Sequence, residues 1–239
     1  MPGLIEDLLA ELPPPFACLV GEPTLMRPTA TRARPAYRYT VQGREARSAY
    51  PALGANAVVA AARIIAEIAA MGGSPRRGPV HDGLRAEAHH TAGVGRIEGG
   101  GQLNIIPRDC RFEFEFRTLP SEDPLRLVRS VERFAQGWIL PTLRAHAPGP
   151  RSPLEVLAYP GLAPGGDELQ LARRCSPSPR PIRVAFGTEA GCFAARGVAA
   201  LVCGPGDIAV AHKPDEWIAL DQLDRCDTFL RRLVRSLNG

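Results

Sequence analysis

The stretch CRFEFEFRTL, at residues 110–119, alternates aromatic and charged side chains one residue at a time. In an extended chain Phe112, Phe114 and Phe116 fall on one face, and the intervening charged residues fall on the other. This period of two predicts a β-strand that packs one face against a core and leaves the other in water. The stretch AYRYTVQG, at residues 36–43, has the same alternation and predicts a second strand of this kind.

Two helical patterns accompany these strands. Asn56 is placed to cap a helix that carries isoleucines at helical spacing. Asp123 and Pro124 open a second helix. Its predicted apolar stripe consists of Leu125, Val128, Val131, Phe134 and Trp138. With further strands predicted at 91–99 and 153–160, the order β-α-β-β-α-β is that of a two-layer domain with both helices on one face of the sheet.

Two continuous apolar runs frame this pattern, FACLV at residues 16–20 and AALVCG at 199–204. Such runs are typical of strands buried on both faces of an α/β sheet. The other elements predicted in these flanks are helices at 4–12, near 166–175 and near 189–196, a strand near 181–186, and a last helix after Asp221. We therefore expect an α/β fold in which one domain, in pieces 1–33 and 161–239, is interrupted by a two-layer domain at 34–160.

Composition excludes several classes of protein. Lys213 is the only lysine among 29 basic residues, and the arginines are dispersed, whereas nucleic-acid binders cluster their basic residues on one face. No apolar run is long enough to span a membrane, and the start MPGLIEDLLAELPPP lacks the features of a signal peptide. The six cysteines contain no CxxC motif. These features predict a reduced, cytoplasmic protein with no nucleic-acid or membrane partner.

Both apolar runs end in polar turns. FACLV leads into Gly21-Glu22-Pro23-Thr24, and AALVCG leads into a loop that contains His212. Because sites in open α/β sheets lie beyond the carboxyl ends of strands, a carboxylate and an imidazole at these positions suit a zinc-type metal. The residues alone leave a second interpretation open, in which Glu22 and His212 are structural.

Five segments in this order resemble acetylornithine deacetylases of the M20 metallopeptidase family: VGEPT, LNIIP, FEFEFRTLP, FGTEAG and CGPGDIAVAHKPDEW. The resemblance runs from about Gly3 to Leu233. It implies that 1–33 and 161–239 are pieces of a metal-dependent hydrolase domain. It also implies that 34–160 is a lid domain through which two subunits form a homodimer.

The resemblance also implies roles for individual residues. Glu22 and His212 match terminal ligands of two metal ions, zinc or cobalt. Residues that match substrate contacts are Asn104 and Arg117 in the lid, and Thr188, Glu189 and Gly191 in a pocket loop. Structural alternatives remain for several of them: a strand-face charge for Arg117, a turn residue for Asn104, and a helix-packing glycine at 191.

The implied reaction is hydrolysis of the N-acetyl amide of acetylornithine, a small N-acyl amino acid, in arginine biosynthesis. In this chemistry two metal ions lower the pKa of a bound water and polarise the amide carbonyl. A glutamate accepts the water's proton, and an imidazole from the partner subunit's lid stabilises the oxyanion.

Several parts of the family's pattern are absent from these 239 residues, which contain no His-x-Asp, Asp-Met-Lys or Glu-Glu. The chain starts just after the point where the Glu-Glu pair would fall. Arg47 stands where the lid's histidine would be, and Arg32-Ala33-Arg34 replaces a His-Lys-Gly. We therefore expect a fragment or degenerate relative that is inactive alone. The alternatives are a non-catalytic dimerisation module and one half of a split hydrolase.

Overall fold

The computed structural model describes residues 2–13, 15–72, 80–81, 84–85, 90–119, 122–144, 149–150, 154–162 and 181–237. The chain forms two compact units. The terminal unit comprises Met1–Ala33, Arg76–Ala88 and Tyr159–Gly239, and the central unit comprises Arg34–Pro75 and His89–Ala158. The predicted helix near 166–175 and Cys175 lie outside the described residues.

The helices are α1 (Pro2–Glu11), α2 (Ala57–Met71), α3 (Pro124–Phe134), α4 (Leu140–Arg144), α5 (Ala190–Ala194) and α6 (Leu220–Leu237). A 3-10 turn spans Pro51–Leu53 and a π-helical turn spans Ala135–Ile139. The strands are β1 (Ala17–Pro23), β2 (Thr29–Ala30), β3 (Arg34–Gln42), β4 (Ala46–Arg47), β5 (Val80–His81), β6 (Leu84–Arg85), β7 (Thr91–Gly99), β8 (Ile105–Ile106), β9 (Asp109–Arg117), β10 (Gly149–Pro150), β11 (Leu154–Tyr159), β12 (Ile182–Arg183) and β13 (Ala199–Gly204).

The main sheet of the central unit has the strand order β10-β3-β9-β7, and β11 also pairs with β3. The antiparallel register of β3 and β9 places Tyr37 opposite Phe114 and Tyr39 opposite Phe112. Both pairs stack, with ring centroids 5.4 and 5.5 Å apart. Alternation in the two strands therefore builds one continuous aromatic face, as the sequence predicts.

Helix α2 covers that face. Ile64 and Ile68 are fully buried in the same core as the aromatic rings. The predicted cap is confirmed, because Asn56 Oδ1 accepts a hydrogen bond from the Val59 amide at 3.0 Å. Asp123 caps α3 in the same way, since its carboxylate accepts from the Leu125 amide at 2.9 Å.

The predicted apolar stripe of the second helix is wrong at both ends. Val128 and Val131 are buried, but Leu125 is 47% exposed and Trp138 is 73% exposed. The π-helical turn is the reason at the C-terminal end, because its extra residue per turn rotates Trp138 away from the core. Ile139 takes the buried position instead.

The outer face of the same sheet carries paired charges. Arg38 binds Glu113 at 2.7 Å, and Arg34 binds Glu115 at 2.6 Å. The hydrogen bond from Arg38 is the main cause that lowers the pKa of Glu113 below its ordinary value. Arg38 lies directly opposite Glu113, whereas Arg34 reaches Glu115 diagonally, because Ala36 is opposite Glu115. Such pairs contribute little each, but they oppose slippage of the register by one residue.

The terminal unit contains a four-stranded sheet in the order β1-β13-β2-β12. Strands β1 and β13 are parallel, with Ala17 opposite Ala199 and Val20 opposite Val202. Strand β13 is buried along nearly its whole length, as predicted. The prediction that FACLV is buried on both faces is wrong: β1 is half-buried, and among the described residues it is an end strand of this sheet.

Side chains from the two faces of β1 and β13 enter different clusters. Cys18 and Val20 pack with Val202 and with Ala190 of α5. Leu19 and Leu201 pack with Phe229 of α6 on the other face. Helices on both faces of a parallel pair confirm the predicted α/β class. The strand predicted near 181–186 is confirmed only as the two-residue β12.

None of the helices in the described part of the chain combines the length and apolar character that crossing a bilayer requires.

Replacing Ile64 by alanine should destabilise the central unit by about 2–5 kcal/mol, because the side chain is fully buried under the aromatic face and leaves a cavity. Hydrogen exchange of the β9 amides measures this, since β9 lies in the central unit alone. Arg63→Ala, at an exposed position one residue earlier, is the control and should change the opening free energy by about 0.5 kcal/mol or less. Equal effects of the two substitutions would contradict this description of the core.

Candidate metal-binding site

The parallel pairing of β1 with β13 brings their carboxyl ends together. Pro23 lies opposite Gly204, and the register shifts between Val20 and Pro23. A Cβ atom at position 204 would lie only 2.5 Å from backbone atoms of Gly21 and Glu22. Only glycine allows this approach, so Gly204 fixes how close the end of β1, which contains Glu22, comes to the end of β13.

Thr24 joins these two turns. Its side chain is fully buried, and Thr24 Oγ1 accepts a hydrogen bond from the Gly204 amide at 3.1 Å. The backbone continues the connection, because the Leu25 amide donates to Gly206 O at 2.8 Å and the Met26 amide donates to Gly204 O at 2.9 Å. The turn after β1 is therefore fixed to the turn after β13 by several hydrogen bonds.

Four residues other than glycine in these turns adopt left-handed backbone conformations. They are Leu25, Met26, His212 and Asp215, with φ of 53°, 57°, 60° and 58°. Such conformations cost roughly 1–2 kcal/mol each for a residue with a Cβ. Strained backbone of this kind is maintained only where the surrounding contacts hold it, and it is concentrated at functional sites.

His212 lies in an exposed loop. Its amide donates a hydrogen bond to Glu216 Oε2 at 3.0 Å. Lys213 and Pro214, between these two residues, are also exposed, and proline restricts both its own φ and the conformation of the residue before it. The loop therefore presents the His212 imidazole from a backbone with little conformational freedom.

Glu22, Glu189 and His212 share one electrostatic environment. The pKa of Glu22 is raised above its ordinary value of 4.5, first by burial and then by the charge of Glu189, while His212 acts in the opposite direction. Burial and Glu189 also raise the pKa of the Cys18 thiol. Two carboxylates that repel one another beside an imidazole form an arrangement that a bound cation would stabilise.

The segment before α5 supplies Glu189 and two other predicted site residues. Thr188 is buried, and its Oγ1 accepts a hydrogen bond from the Ala190 amide at 3.3 Å. Gly191 has a structural reason of its own, because a Cβ there would lie 1.9 Å from Pro160 O. Its predicted contact with substrate stays a prediction.

In the central unit, backbone hydrogen bonds bring the segments of Arg47 and Asn104 next to each other. Strand β4 pairs with β8, with Arg47 opposite Ile105, and the Ser48 amide donates to Asn104 O at 2.9 Å. Both Arg47 and Asn104 are exposed. The sequence positions at which the family places a lid histidine and a lid asparagine thus form one local surface.

Arg117 has a structural role on the outer face of the central sheet. Its guanidinium binds Glu115 at 2.9 Å, and Arg34 binds the same carboxylate. Although burial raises the pKa of Glu115, the bonds from Arg34 and Arg117 outweigh it and lower that pKa. The structural alternative for Arg117 thus has a defined partner, and its contact with substrate stays a prediction.

The donors present suit part of a metal site. Among the residues that the structure describes, no group of three or more histidine, cysteine, aspartate or glutamate side chains is arranged to hold a metal ion. Glu22 and His212 are the donor types that zinc takes, and the charge of His212 acts on Glu22 against the larger effects of burial and Glu189. They are suited to serve as two ligands of a larger set.

Comparison with known proteins finds a matching family model and several similar proteins. Residues 29–137 match the model of the M20 peptidase dimerisation domain. An acetylornithine deacetylase from Myxococcus xanthus is 32% identical over 234 residues, which cover 92% of this chain and 57% of the relative. An N-acetyl-L-citrulline deacetylase from Xanthomonas campestris pv. campestris is 37% identical over 155 residues, 61% of this chain and 38% of the relative.

Solved structures agree on the fold. A tripeptidase from Staphylococcus aureus superposes with a TM-score of 0.70 at 16% identity, over 95% of this chain and 58% of its own. An aminopeptidase, PepT, from Bacillus cereus gives a TM-score of 0.62 at 19% identity, over 95% of this chain and 56% of its own.

This chain thus has a match to a dimerisation domain between two pieces of an α/β unit, and its relatives include deacetylases. It is similar to M20 peptidases over the dimerisation domain, and the relatives it resembles include acetylornithine deacetylases. Nearly all of this chain matches these curated relatives, but it spans only a little over half of their length.

The sequence interpretation missed two residues with clear positions at the site, Thr24 and Glu216. Both lie inside motifs that the sequence displays, GEPT and HKPDE. A threonine just beyond the end of a predicted buried strand is a candidate to hydrogen-bond backbone groups, because a buried hydroxyl requires a partner. The hydrogen bond from the His212 amide to Glu216 has no comparable signal in the sequence.

The Glu22 carboxyl group should report its neighbours in a titration. Glu189→Gln should lower the pKa of Glu22, because it removes a negative charge that raises it. His212→Ala should raise that pKa, because it removes the one influence that lowers it. The measurement is a side-chain carboxyl ¹³C titration, with Asp221→Asn in α6 as the control.

The same shift has a consequence for stability. A carboxyl group whose pKa is raised on folding makes the folded state lose stability as pH rises from the ordinary value of 4.5 through the raised value. Glu22→Gln should therefore stabilise the chain at pH 7 relative to the parent, and this advantage should disappear below pH 4.5. A Glu22 pKa that neither Glu189→Gln nor His212→Ala changes would show that the three side chains do not face one another.

Proposed function

We propose that this chain supplies part of a zinc-dependent amidohydrolase that cleaves the N-acetyl amide of acetylornithine, a step of arginine biosynthesis in the cytoplasm. The observation that carries the proposal is the parallel pairing of β1, which contains Glu22, with β13, which leads into the loop of His212; burial and Glu189 raise the pKa of Glu22, and His212 acts against them. The names of the relatives support the choice of substrate.

In this proposal Glu22 and His212 each hold one end of a pair of metal ions. Metal ions bound there would lower the pKa of a water molecule and polarise the amide carbonyl. The chain's own residues hold the two proposed ligands in position. Gly204 allows the close approach of the Glu22 backbone, and Thr24 joins the segments that follow β1 and β13 by a hydrogen bond. The Glu189 carboxylate, beside Glu22, extends the negative surface on which cations collect.

The central unit contributes groups that are able to bind the acyl amino acid. Arg47, where the family has a histidine, retains a donor that can bind an oxyanion, but its reach and permanent charge differ from those of imidazole. Asn104 lies on the same local surface, because it directly precedes β8, which pairs with β4. Arg117 is able to bind a carboxylate only if it exchanges or shares its partner Glu115.

The remaining metal ligands and the general base are proposed to come from polypeptide outside these 239 residues. The chain contains neither His-x-Asp nor Glu-Glu, the family's sequences for those groups. A segment of a longer protein and a separate subunit are both able to provide them. Full activity is therefore proposed for the completed assembly, and this chain alone is proposed to be inactive.

A second function, subunit pairing, is supported by the match of residues 29–137 to a dimerisation domain. Strand β7 forms one end of the main central sheet as the structure describes it. Ile97 on this strand is 51% exposed. Helix α2, which packs beside β7, has the exposed residues Val59, Ala62 and Ala66. An unpaired edge next to small exposed side chains suits pairing with a second copy.

Hydrolysis is tested by assay with and without complementation. Alone, with added zinc or cobalt, the chain should release no acetate from acetylornithine above background, because loss of a general base alone costs about 10²–10⁴-fold in rate. Co-expression with the part of the Myxococcus xanthus relative that this chain does not cover should give zinc-dependent acetate release.

In that assembly His212→Ala and Glu22→Ala should each abolish turnover, while Asp221→Asn should leave it unchanged. Turnover by the chain alone that His212→Ala abolishes would contradict the incomplete site. Turnover by the assembly that survives both Glu22→Ala and His212→Ala would contradict their role as ligands.

Dimerisation is tested by light scattering across a range of concentrations. Ile97→Lys should weaken self-association at least about tenfold, because a lysine on an edge strand opposes edge-to-edge pairing. Leu125→Lys on α3, a similarly exposed apolar position, is the matched control and should leave the dimer intact. A parent chain that stays monomeric at every concentration would exclude the dimerisation module.

A further inference from the structure

The His212 loop closes on itself through one hydrogen bond. The amide of His212 donates to Glu216 Oε2 at 3.0 Å, across the intervening segment Lys213-Pro214-Asp215. Both residues are exposed, so this bond is not a consequence of burial in a core. A solvated carboxylate without a functional partner is free to point into water, and here it is directed back to the backbone of the proposed metal ligand.

The backbone at both ends of this segment is in a conformation that requires support. His212 and Asp215 have φ of 60° and 58°, in the left-handed region that residues with a Cβ seldom occupy. Pro214 contributes rigidity, because its ring fixes φ and biases Lys213 toward an extended conformation. Proline does not stabilise the left-handed conformation at 212, so another contact has to.

The Glu216 carboxylate is the contact that the described structure provides. A charge-assisted hydrogen bond to a backbone amide is stronger than a neutral one and has a defined direction. Because the amide of His212 precedes its Cα atom, holding the amide restricts the direction in which the Cα–Cβ bond, and hence the imidazole, points. Opening the bond would leave the loop free to relax to the commoner right-handed conformation.

We propose that Glu216 is a positioning residue, which holds the His212 backbone in its left-handed conformation so that the imidazole is directed to the metal site. The proposal rests on the proposed function only in that the imidazole binds metal. Glu216 acts through the backbone of His212 and does not itself bind the ion. The orientation of a metal ligand by a group outside the coordination sphere typically affects metal affinity by about 10–100-fold.

The test uses the full chain and Zn²⁺ alone as the probe. The ring signals of His212 are assigned in a ¹H–¹³C spectrum by comparison with His212→Asn, and zinc is titrated into the parent and into variants at position 216. Glu216→Ala should weaken zinc binding at His212 about tenfold. Glu216→Gln should stay within about threefold of the parent, because its amide oxygen still accepts from the His212 amide.

A readout without metal accompanies the titration. The heteronuclear ¹⁵N–¹H NOE of the His212 amide should fall in Glu216→Ala, where the loop becomes mobile, and stay at the parent's value in Glu216→Gln. Asp215→Asn is the matched control: it removes one negative charge from the same loop and keeps a residue type that tolerates the left-handed region. It should change neither the NOE nor the zinc affinity.

Each other outcome overturns one identified statement. If Glu216→Gln weakens zinc binding as much as Glu216→Ala does, the carboxylate acts by its charge, and the positioning role is wrong. If neither variant alters the NOE or the affinity, the positioning role is also wrong. If zinc leaves the His212 signals unchanged both in the chain alone and in the completed assembly, the role of His212 as a metal ligand is wrong, while the NOE comparison still decides whether Glu216 holds the loop.

Discussion

The parallel pairing of β1 with β13 is the contact on which the site depends. It joins segments 180 residues apart, and it places the turn after one strand against the turn after the other. Gly204 makes the approach possible because it lacks the side chain that would block it. Thr24 stabilises it, because its hydroxyl accepts the hydrogen bond of the buried Gly204 amide. Loss of this pairing would separate Glu22 from His212 without altering either residue.

The distance along the chain is spanned by a unit that folds around its own core. The aromatic face of β3 and β9 and the helix α2 bury one another inside the central unit. Its charged outer face is internally paired through Glu113 and Glu115. These contacts all lie inside the central unit, so its core does not require side chains from the terminal unit. Insertion of a self-contained domain thus leaves the parallel pairing intact.

Elements with a strong period were predictable from sequence, and elements set by tertiary context were not. Alternation at 110–117 and the cap at Asn56 are local signals, so the strand and helix they predict agree with the structure. The half-buried state of β1 depends on its position in the sheet, and the exposure of Trp138 depends on a π-helical turn. Neither feature changes the period of the apolar residues in the sequence. At the site, residue types indicated Glu22 and His212 as candidates. The influence of Glu189 on Glu22 and the closure of the loop by Glu216 required three-dimensional proximity.

Lys213, exposed and next to His212, is the only lysine in the chain. The chain's other cationic side chains at neutral pH are the guanidinium groups of arginine, which do not react with reagents that acylate primary amines. Apart from the terminal amine, a fluorophore introduced by such chemistry would therefore attach at one residue, within the HKPDE loop. The sequence thus offers a labelling position from which fluorescence can report on the environment of that loop without any engineered cysteine.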